Sequence, residues 1–192
     1  MDNDVSAGSN TSTSVLGHLA LGLTLLAFGV GHTGVIDGVT AASAVSLALY
    51  VGGVALFVAG LLEFRAGNAF TGTAFAGLGA FWFTWGTGAG DAVTSETAGL
   101  FLILWALLAL SLTIGASGYG PLLQGTYGLL FVGLLLLGIA QFADSGGLTK
   151  VGGWVAAVAG VASWYVATAA LAHWPTALPR HRAAGRGVTA TG

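Results

Sequence analysis

Cysteine is absent from the 192-residue chain, and charged residues make up only 6% of it. Without cysteine the protein forms no disulfide, no thiolate metal site and no cysteine nucleophile. The formal net charge of −2 is too small to indicate nucleic acid or an anionic membrane surface as a partner. An ordinary soluble domain carries about 25% charged residues, so a chain this poor in charge belongs to another class.

Apolar residues, in contrast, make up 55% of the chain, and the mean hydropathy is +0.87. A protein of this size cannot bury so much apolar surface away from water, so lipid must be its solvent. A transmembrane helix needs about 20 apolar residues, and several stretches reach that length. We therefore predict an all-α integral membrane bundle of six transmembrane helices, approximately Val15–Ile36, Ala42–Phe64, Ala69–Ala89, Thr97–Ala116, Pro121–Ala143 and Val151–Trp174.

The few charged residues predict how the bundle is oriented. An even number of spans puts both termini on one side, together with four arginines, Arg65, Arg180, Arg182 and Arg186. The opposite side holds a single basic residue, Lys150, and four acidic ones. An excess of basic residues marks the cytoplasmic side. The polar tail 1–14 and the basic tail 175–192, which flank the transmembrane domain 15–174, are therefore predicted to be cytoplasmic.

A short polar segment, residues 63–68, joins the second and third predicted spans. Gly67 suits the left-handed residue that closes a helix, and Asn68 suits the N-cap of the next helix. Glu63 is predicted to be a structural residue that accepts from the amides opening the third span or pairs with Arg65. The segment therefore predicts a tight hairpin turn at one membrane surface.

Helical spacing gives three spans a similar face, with polar groups toward the ends and apolar bulk in the middle. These faces are His18, Leu21, Leu25, Phe28 and His32 in the first span; Asn68, Thr71, Phe75, Leu78 and Trp82 in the third; and Thr126, Tyr127, Leu130, Leu134, Leu137 and Gln141 in the fifth. In the sixth span Ser163 lies among small residues. A pore with polar openings and an apolar, water-free constriction would need this layout. Ordinary buried or lipid-facing helix surfaces also produce it.

The stretch from Gly52 to Trp82 contains the pattern GG-x6-G-x2-E-x3-GN-x-F-x2-T-x-F-x3-G-x-FW. Its fixed positions are Gly52, Gly53, Gly60, Glu63, Gly67, Asn68, Phe70, Thr73, Phe75, Gly79, Phe81 and Trp82. This pattern resembles the signature of the acetate uptake transporter family, the acetate/succinate transporters of bacteria and their fungal relatives. The resemblance implies a channel or transporter for small monocarboxylates such as acetate, in the cell membrane, with proton coupling left open. It also implies a homo-oligomer, typically a hexamer, with one path in each protomer.

The same resemblance implies roles for particular residues. An apolar narrowing of the family's pore corresponds to Leu21, Leu78 and Leu130, and Ser163 corresponds to a position that affects substrate choice. Leucine stands at two constriction positions where the family usually has aromatic rings, phenylalanine at Leu21 and tyrosine at Leu78. The family's Asn-Pro-Ala-Pro-Leu-Gly-Leu motif is replaced here by residues 12–18. These departures predict a wider or more adaptable neck and a changed cytoplasmic entrance.

The predicted lumen contains no basic residue at mid-membrane to hold an anion there. A carboxylic acid would therefore cross protonated, or its anion would pass briefly with Thr71, Thr126 or helix amides on either side. Only His18, His32 and Glu63 could titrate along the path.

Two other classes of function remain open: a channel for small neutral solutes such as urea, ammonia or amides, and a non-transporting membrane component. No paired carboxylates or clustered metal ligands occur within a span, so neither an enzyme nor a cofactor or metal site is predicted.

Overall fold

The computed structural model describes residues 12–88 and 93–174, and within this part of the chain every regular element is a helix. The principal helices are α1 (Ser12–Thr33), α2 (Ala41–Arg65), α3 (Ala69–Gly88), α4 (Ser95–Gly115), α5 (Pro121–Phe142) and α6 (Gly146–Ala172). The predicted all-α class is thereby confirmed. Both predicted tails lie mostly outside the described residues.

Two helices begin earlier than the sequence predicted. The first starts at Ser12, so residues 12–14, assigned to the polar tail, belong to the helix. The last starts at Gly146, because the Ser145 hydroxyl accepts a hydrogen bond from the Leu148 N–H at 3.3 Å. The predicted span began only at Val151, after the paired glycines Gly146 and Gly147. An N-capping serine outweighs their poor helix propensity.

Five helices are long and apolar enough to cross a membrane by length and composition: α1, α2, α4 with its following turn, α5 and α6. Helix α3 has 20 residues, which matches the thickness of a bilayer, but its threonines and glycines make it less apolar. The chain is therefore built for multiple passes through a membrane.

The helices follow one another around the bundle in the same cyclic order as in the chain. Helix α1 packs most extensively against α6, while α5 lies between α4 and α6 and α2 packs on α3. The spatial order is α3, α2, α1, α6, α5, α4, with a small contact between α3 and α4 that closes the ring. The first and last helices are thus direct neighbours.

Glycines let the backbones of α1 and α6 touch. A Cβ added at Gly22 would lie 2.6 Å from the Trp164 nitrogen, and one at Gly160 would lie 2.6 Å from the Leu26 nitrogen. Gly29 and Gly153 repeat this contact two turns away, where a Cβ on Gly153 would lie 2.8 Å from the Gly29 oxygen. Small residues at such positions permit close helix packing in lipid, where the hydrophobic effect gives no help.

Helix α2 is irregular, whereas the sequence predicted a plain helix over this span. It opens with a 3₁₀ turn at Ala41–Ala44, widens into a π-helix at Ala48–Ala55, and continues as an α-helix at Leu56–Arg65. The wide turns bring two consecutive glycines against α3. A Cβ on Gly52 would meet the Trp82 ring, and one on Gly53 would meet the Phe83 backbone at 3.0 Å.

Candidate functional site

Helices α1 and α3 run in the same direction, and their side chains meet inside the bundle. His18 packs edge-on against Phe75 with ring centroids 4.9 Å apart, and Phe28 packs in the same way against Trp82 at 5.1 Å. One turn further on, His32 approaches Trp85 at 6.3 Å. Contacts later in α1 pair with contacts later in α3. Leu21 therefore lies between His18 and Phe28 on α1, and Leu78 lies between Phe75 and Trp82 on α3.

The three leucines of the predicted constriction all face the interior of the bundle. The exposed fraction is 0% for Leu21 and Leu78 and 1% for Leu130. They belong to one cluster of buried apolar side chains that also contains Phe75 and Leu134. We call Leu21, Leu78 and Leu130 the leucine waist. All three side chains are therefore directed into the bundle rather than to its outer surface.

On one side of the leucine waist lies His18, which is 4% exposed. Its Nδ1 is 2.8 Å from the Ser14 carbonyl oxygen. A carbonyl oxygen only accepts, so Nδ1 carries the proton, and Nε2 of the neutral ring keeps a bare lone pair. This Nε2 is buried and has no hydrogen-bond partner within the part of the chain that the structure describes.

On the other side lie the Thr24 hydroxyl and the Trp82 indole N–H, which also have no hydrogen-bond partner among residues 12–88 and 93–174. Both residues are 0% exposed. A Cβ placed on Gly52 would be 3.0 Å from Thr24 Oγ1 and 2.8 Å from Trp82 Cγ, so both side chains border the same point. Trp82 was a predicted lining residue. Thr24 was missed because it lies beside the face defined by Leu21, Leu25 and Phe28 rather than on it.

Glu63 is fully buried, and its hydrogen bonds differ from the prediction. One carboxylate oxygen accepts from the Ser14 hydroxyl at 2.9 Å, and the other accepts from Asn68 Nδ2 at 2.6 Å. The Asn68 N–H also donates to the Glu63 carbonyl oxygen at 2.9 Å. Arg65, offered as a possible partner, is exposed. Glu63 therefore links the start of α1, the end of α2 and the start of α3, around a turn in which Gly67 has φ +83°.

The other predicted lining residues are buried, but two of them use their hydroxyl hydrogen elsewhere. Ser163 donates to the His18 carbonyl oxygen at 3.0 Å, and Thr126 donates to the Leu122 carbonyl oxygen at 2.9 Å. Thr71 is 7% exposed and Phe28 is 1% exposed. Ser163 thus fixes α6 to α1 at the level of His18, and its oxygen keeps only its acceptor capacity.

Two cavities border α3. One of about 350 Å³ lies between the end of α3 and the start of α4 and is lined by Thr84, Trp85, Gly88, Val93, Thr97, Ala98 and Phe101. Because Trp85 also approaches His32, this cavity lies toward the His32 end of the α1–α3 contact. The other, of about 340 Å³, is an outer groove between α2 and α3 that includes the exposed side chains Val54, Phe57 and Phe83.

Comparison with known proteins connects this arrangement to a family. The sequence profile of the GPR1/FUN34/yaaH family matches residues 5–178. The succinate-acetate/proton symporter SatP of Escherichia coli (strain K12) is 30% identical over 157 residues, which cover 77% of this chain and 81% of that protein. Ammonia transport outward protein 2 of Saccharomyces cerevisiae is 30% identical over 141 residues, but the match spans only 50% of that protein.

The fold is also similar to that of a solved relative. The structure of the bacterial acetate channel SatP superposes with a TM-score of 0.76 at 27% identity, covering 85% of this chain and 93% of that one. The family resemblance carried by the Gly52–Trp82 stretch is thereby confirmed, and so is a multi-pass membrane protein. With its profile matched over nearly the whole sequence, the chain belongs to the GPR1/FUN34/yaaH family.

Proposed function

We propose that this protein carries acetate and similar small monocarboxylates across the membrane, along a path inside the helix bundle that passes the leucine waist. The observation that carries the proposal is the arrangement along α1 and α3. Buried apolar side chains at Leu21 and Leu78 are flanked by buried polar atoms that have no hydrogen-bond partner in the described part of the chain, and the chain shares its fold with an acetate channel. Such a path has a dry neck between two polar levels.

The leucine waist favours passage of the neutral acid over its anion. A carboxylate that enters an apolar neck loses its hydration, and neither lysine nor arginine occurs among the buried polar and charged residues described. A protonated acid avoids most of this penalty, and its methyl group packs against leucine. Transport of the acid therefore carries a proton with it.

His18 supports the same route. Its bare Nε2 accepts a hydrogen bond from the O–H of a carboxylic acid, whereas a carboxylate oxygen would face that lone pair with a lone pair of its own. His18 would thus receive the acid in its protonated form at the edge of the leucine waist. This agrees with the name of the E. coli relative, a succinate-acetate/proton symporter.

The finer architecture is part of the proposal. We place α3 across the membrane as the sixth span, and both termini in the cytoplasm on the side of Arg65. Lipid and neighbouring copies of the chain would cover the exposed apolar side chains of α2 and α3, in a homo-oligomer that the family resemblance suggests is a hexamer. Since the chain has no cysteine, single introduced cysteines on either side of the membrane would test the topology without background.

Uptake of labelled acetate into proteoliposomes tests the proposed function. We expect acetate uptake above that of protein-free liposomes, which set the baseline because acetic acid itself crosses lipid. An inside-alkaline pH gradient should increase the uptake further, since it traps the acid after it crosses. Lactate, succinate and urea serve as comparison solutes. Acetate uptake equal to that of protein-free liposomes in every condition would contradict the proposal and favour a non-transporting component.

Widening the leucine waist should change its selectivity. Leu78→Ala removes a buried side chain from the neck, so we expect the ratio of lactate to acetate uptake to rise several-fold. Such a substitution also costs about 2–5 kcal/mol of stability, which is why a ratio is measured rather than a rate. The matched control is Leu104→Ala, at a position that is 57% exposed on the outer surface. An equal ratio in the two variants would show that Leu78 does not set the width.

A second candidate function is conduction of ammonia, which the name of the yeast relative suggests. A dry neck would pass ammonia as a neutral molecule and exclude ammonium. The same proteoliposomes distinguish the two functions. Ammonia conduction would alkalinise the lumen on addition of an ammonium salt, with no acetate uptake above the baseline.

A further inference from the structure

We infer that Thr24 and Trp82 form a hydrogen-bonding site for the carboxyl group of the transported acid, one helical turn beyond the leucine waist. The inference rests on the proposed function, which it deepens by assigning the residues that recognise the substrate. Thr24 follows Leu21 on α1, and Trp82 follows Leu78 on α3. Both helices run in the same direction, so the two polar groups lie on the same side of the leucine waist, opposite His18.

The energetic argument starts from the burial of these two groups. Each side chain is fully buried, and neither Thr24 Oγ1 nor Trp82 Nε1 has a hydrogen-bond partner within the described chain. Native proteins rarely leave buried polar atoms unpaired, because each one loses its bonds to water on folding. Several threonines in these helices bond a carbonyl one turn back, as Thr84 does to Ala80 at 2.9 Å. Within the described residues Thr24 makes no such bond, so its hydroxyl can serve another acceptor.

The chemistry of the pair defines the ligand. An indole N–H only donates, and a hydroxyl can donate while it rotates, so together they suit a group with two acceptor oxygens. A carboxyl group has two such oxygens, and it accepts from both donors whether it is protonated or ionised. An ammonium ion has no acceptor and finds no partner at Trp82. The site therefore selects carboxylic acids and their anions over cations.

The surroundings hold the pair in place. Phe28 packs edge-on against the Trp82 ring, and Phe81 contacts the same ring with centroids 4.6 Å apart. Gly52 presents only backbone to Thr24 and Trp82, because a side chain there would collide with both. An acid that leaves the acceptor His18 and passes the leucine waist thus meets two donors, with its apolar end directed back toward the leucines.

Two variants that preserve shape test the inference. Thr24→Val replaces the hydroxyl with a methyl, and Trp82→Phe removes the N–H while keeping an aromatic ring. We expect each to raise the KM for acetate uptake about tenfold, which is the effect of one hydrogen bond to a charged or strongly polar group. Thr24→Ser keeps the hydroxyl and should retain a KM near that of the wild type. Thr84→Val and Trp154→Phe, at exposed positions, are the matched controls.

Thermal stability in detergent gives a second readout that a purely structural role would not produce. Without acetate, Thr24→Val should melt at a higher temperature than the wild type, because an unpaired buried hydroxyl is lost. At the same concentration, acetate should raise the melting temperature of the wild type more than that of Thr24→Val. A KM unchanged in both Thr24→Val and Trp82→Phe would overturn the inference, even if stability changes, since a structural water would then explain the pair. Absence of acetate uptake in the wild type would instead overturn the proposed function.

Discussion

Glu63→Ala is expected to prevent accumulation of folded protein. The buried carboxylate accepts hydrogen bonds from Ser14 and Asn68, and these three residues belong to α1, to the turn before α3 and to α2 itself. Alanine removes both hydrogen bonds from this buried network and also leaves a cavity. Size-exclusion chromatography in detergent, followed by a thermal melt, measures the loss.

Glu63→Gln refines this prediction. The amide keeps the shape and one acceptor oxygen but turns an NH₂ group toward one of the two donors, so we expect stability between wild type and Glu63→Ala. The control is Glu96→Gln, an exposed carboxylate in the first turn of α4, which should behave as wild type. If Glu63→Ala melts within a degree or two of Glu96→Gln, the network does not hold these helices together.

Gly160→Leu should separate α1 from α6 and give aggregated protein. The added Cβ would lie 2.6 Å from the Leu26 nitrogen and 2.9 Å from the Gly22 oxygen, both of which are backbone atoms that cannot rotate away. The two helices would move apart along their whole contact, including the level of Gly29 and Gly153. We expect loss of the monodisperse peak in size-exclusion chromatography.

The matched control for this substitution is Gly125→Leu. Gly125 lies inside α5 at an exposed position, where an added Cβ meets nothing within 4 Å. Both variants change a helical glycine to leucine, so helix propensity and side-chain size are the same. A monodisperse Gly160→Leu protein, with a melting temperature equal to that of Gly125→Leu, would mean that close backbone contact is not needed there.

Much of the fold was predictable because its signals are local. Apolar runs of bilayer length, the Gly67 turn and the proline that opens α5 are read from a few neighbouring residues. Helical spacing also grouped Leu21, Leu78 and Leu130 with polar residues on one face of their respective helices, and these side chains are buried. The last helix starts before the predicted Val151 because the cap at Ser145 was not recognised.

The details of the candidate site depend on contacts between distant parts of the chain. Ser14 lies 49 positions from Glu63, and Ser163 lies 145 positions from the His18 carbonyl that it bonds. Neither partner can be found from spacing along one helix. Thr24 was missed for a related reason, since its importance comes from Trp82 and Gly52 on other helices. The π-helix of α2 has no local signal in its alanines, valines and glycines.

The pairing of α1 with α6 has a consequence for biosynthesis. The ribosome releases α1 long before α6, so the glycine face of α1 stays without its partner until α6 has been translated. A nascent chain halted before Gly146 holds that face open to lipid or to other proteins of the insertion machinery. Premature termination within α6 should therefore yield a product that cells degrade, rather than a shortened, partly active transporter.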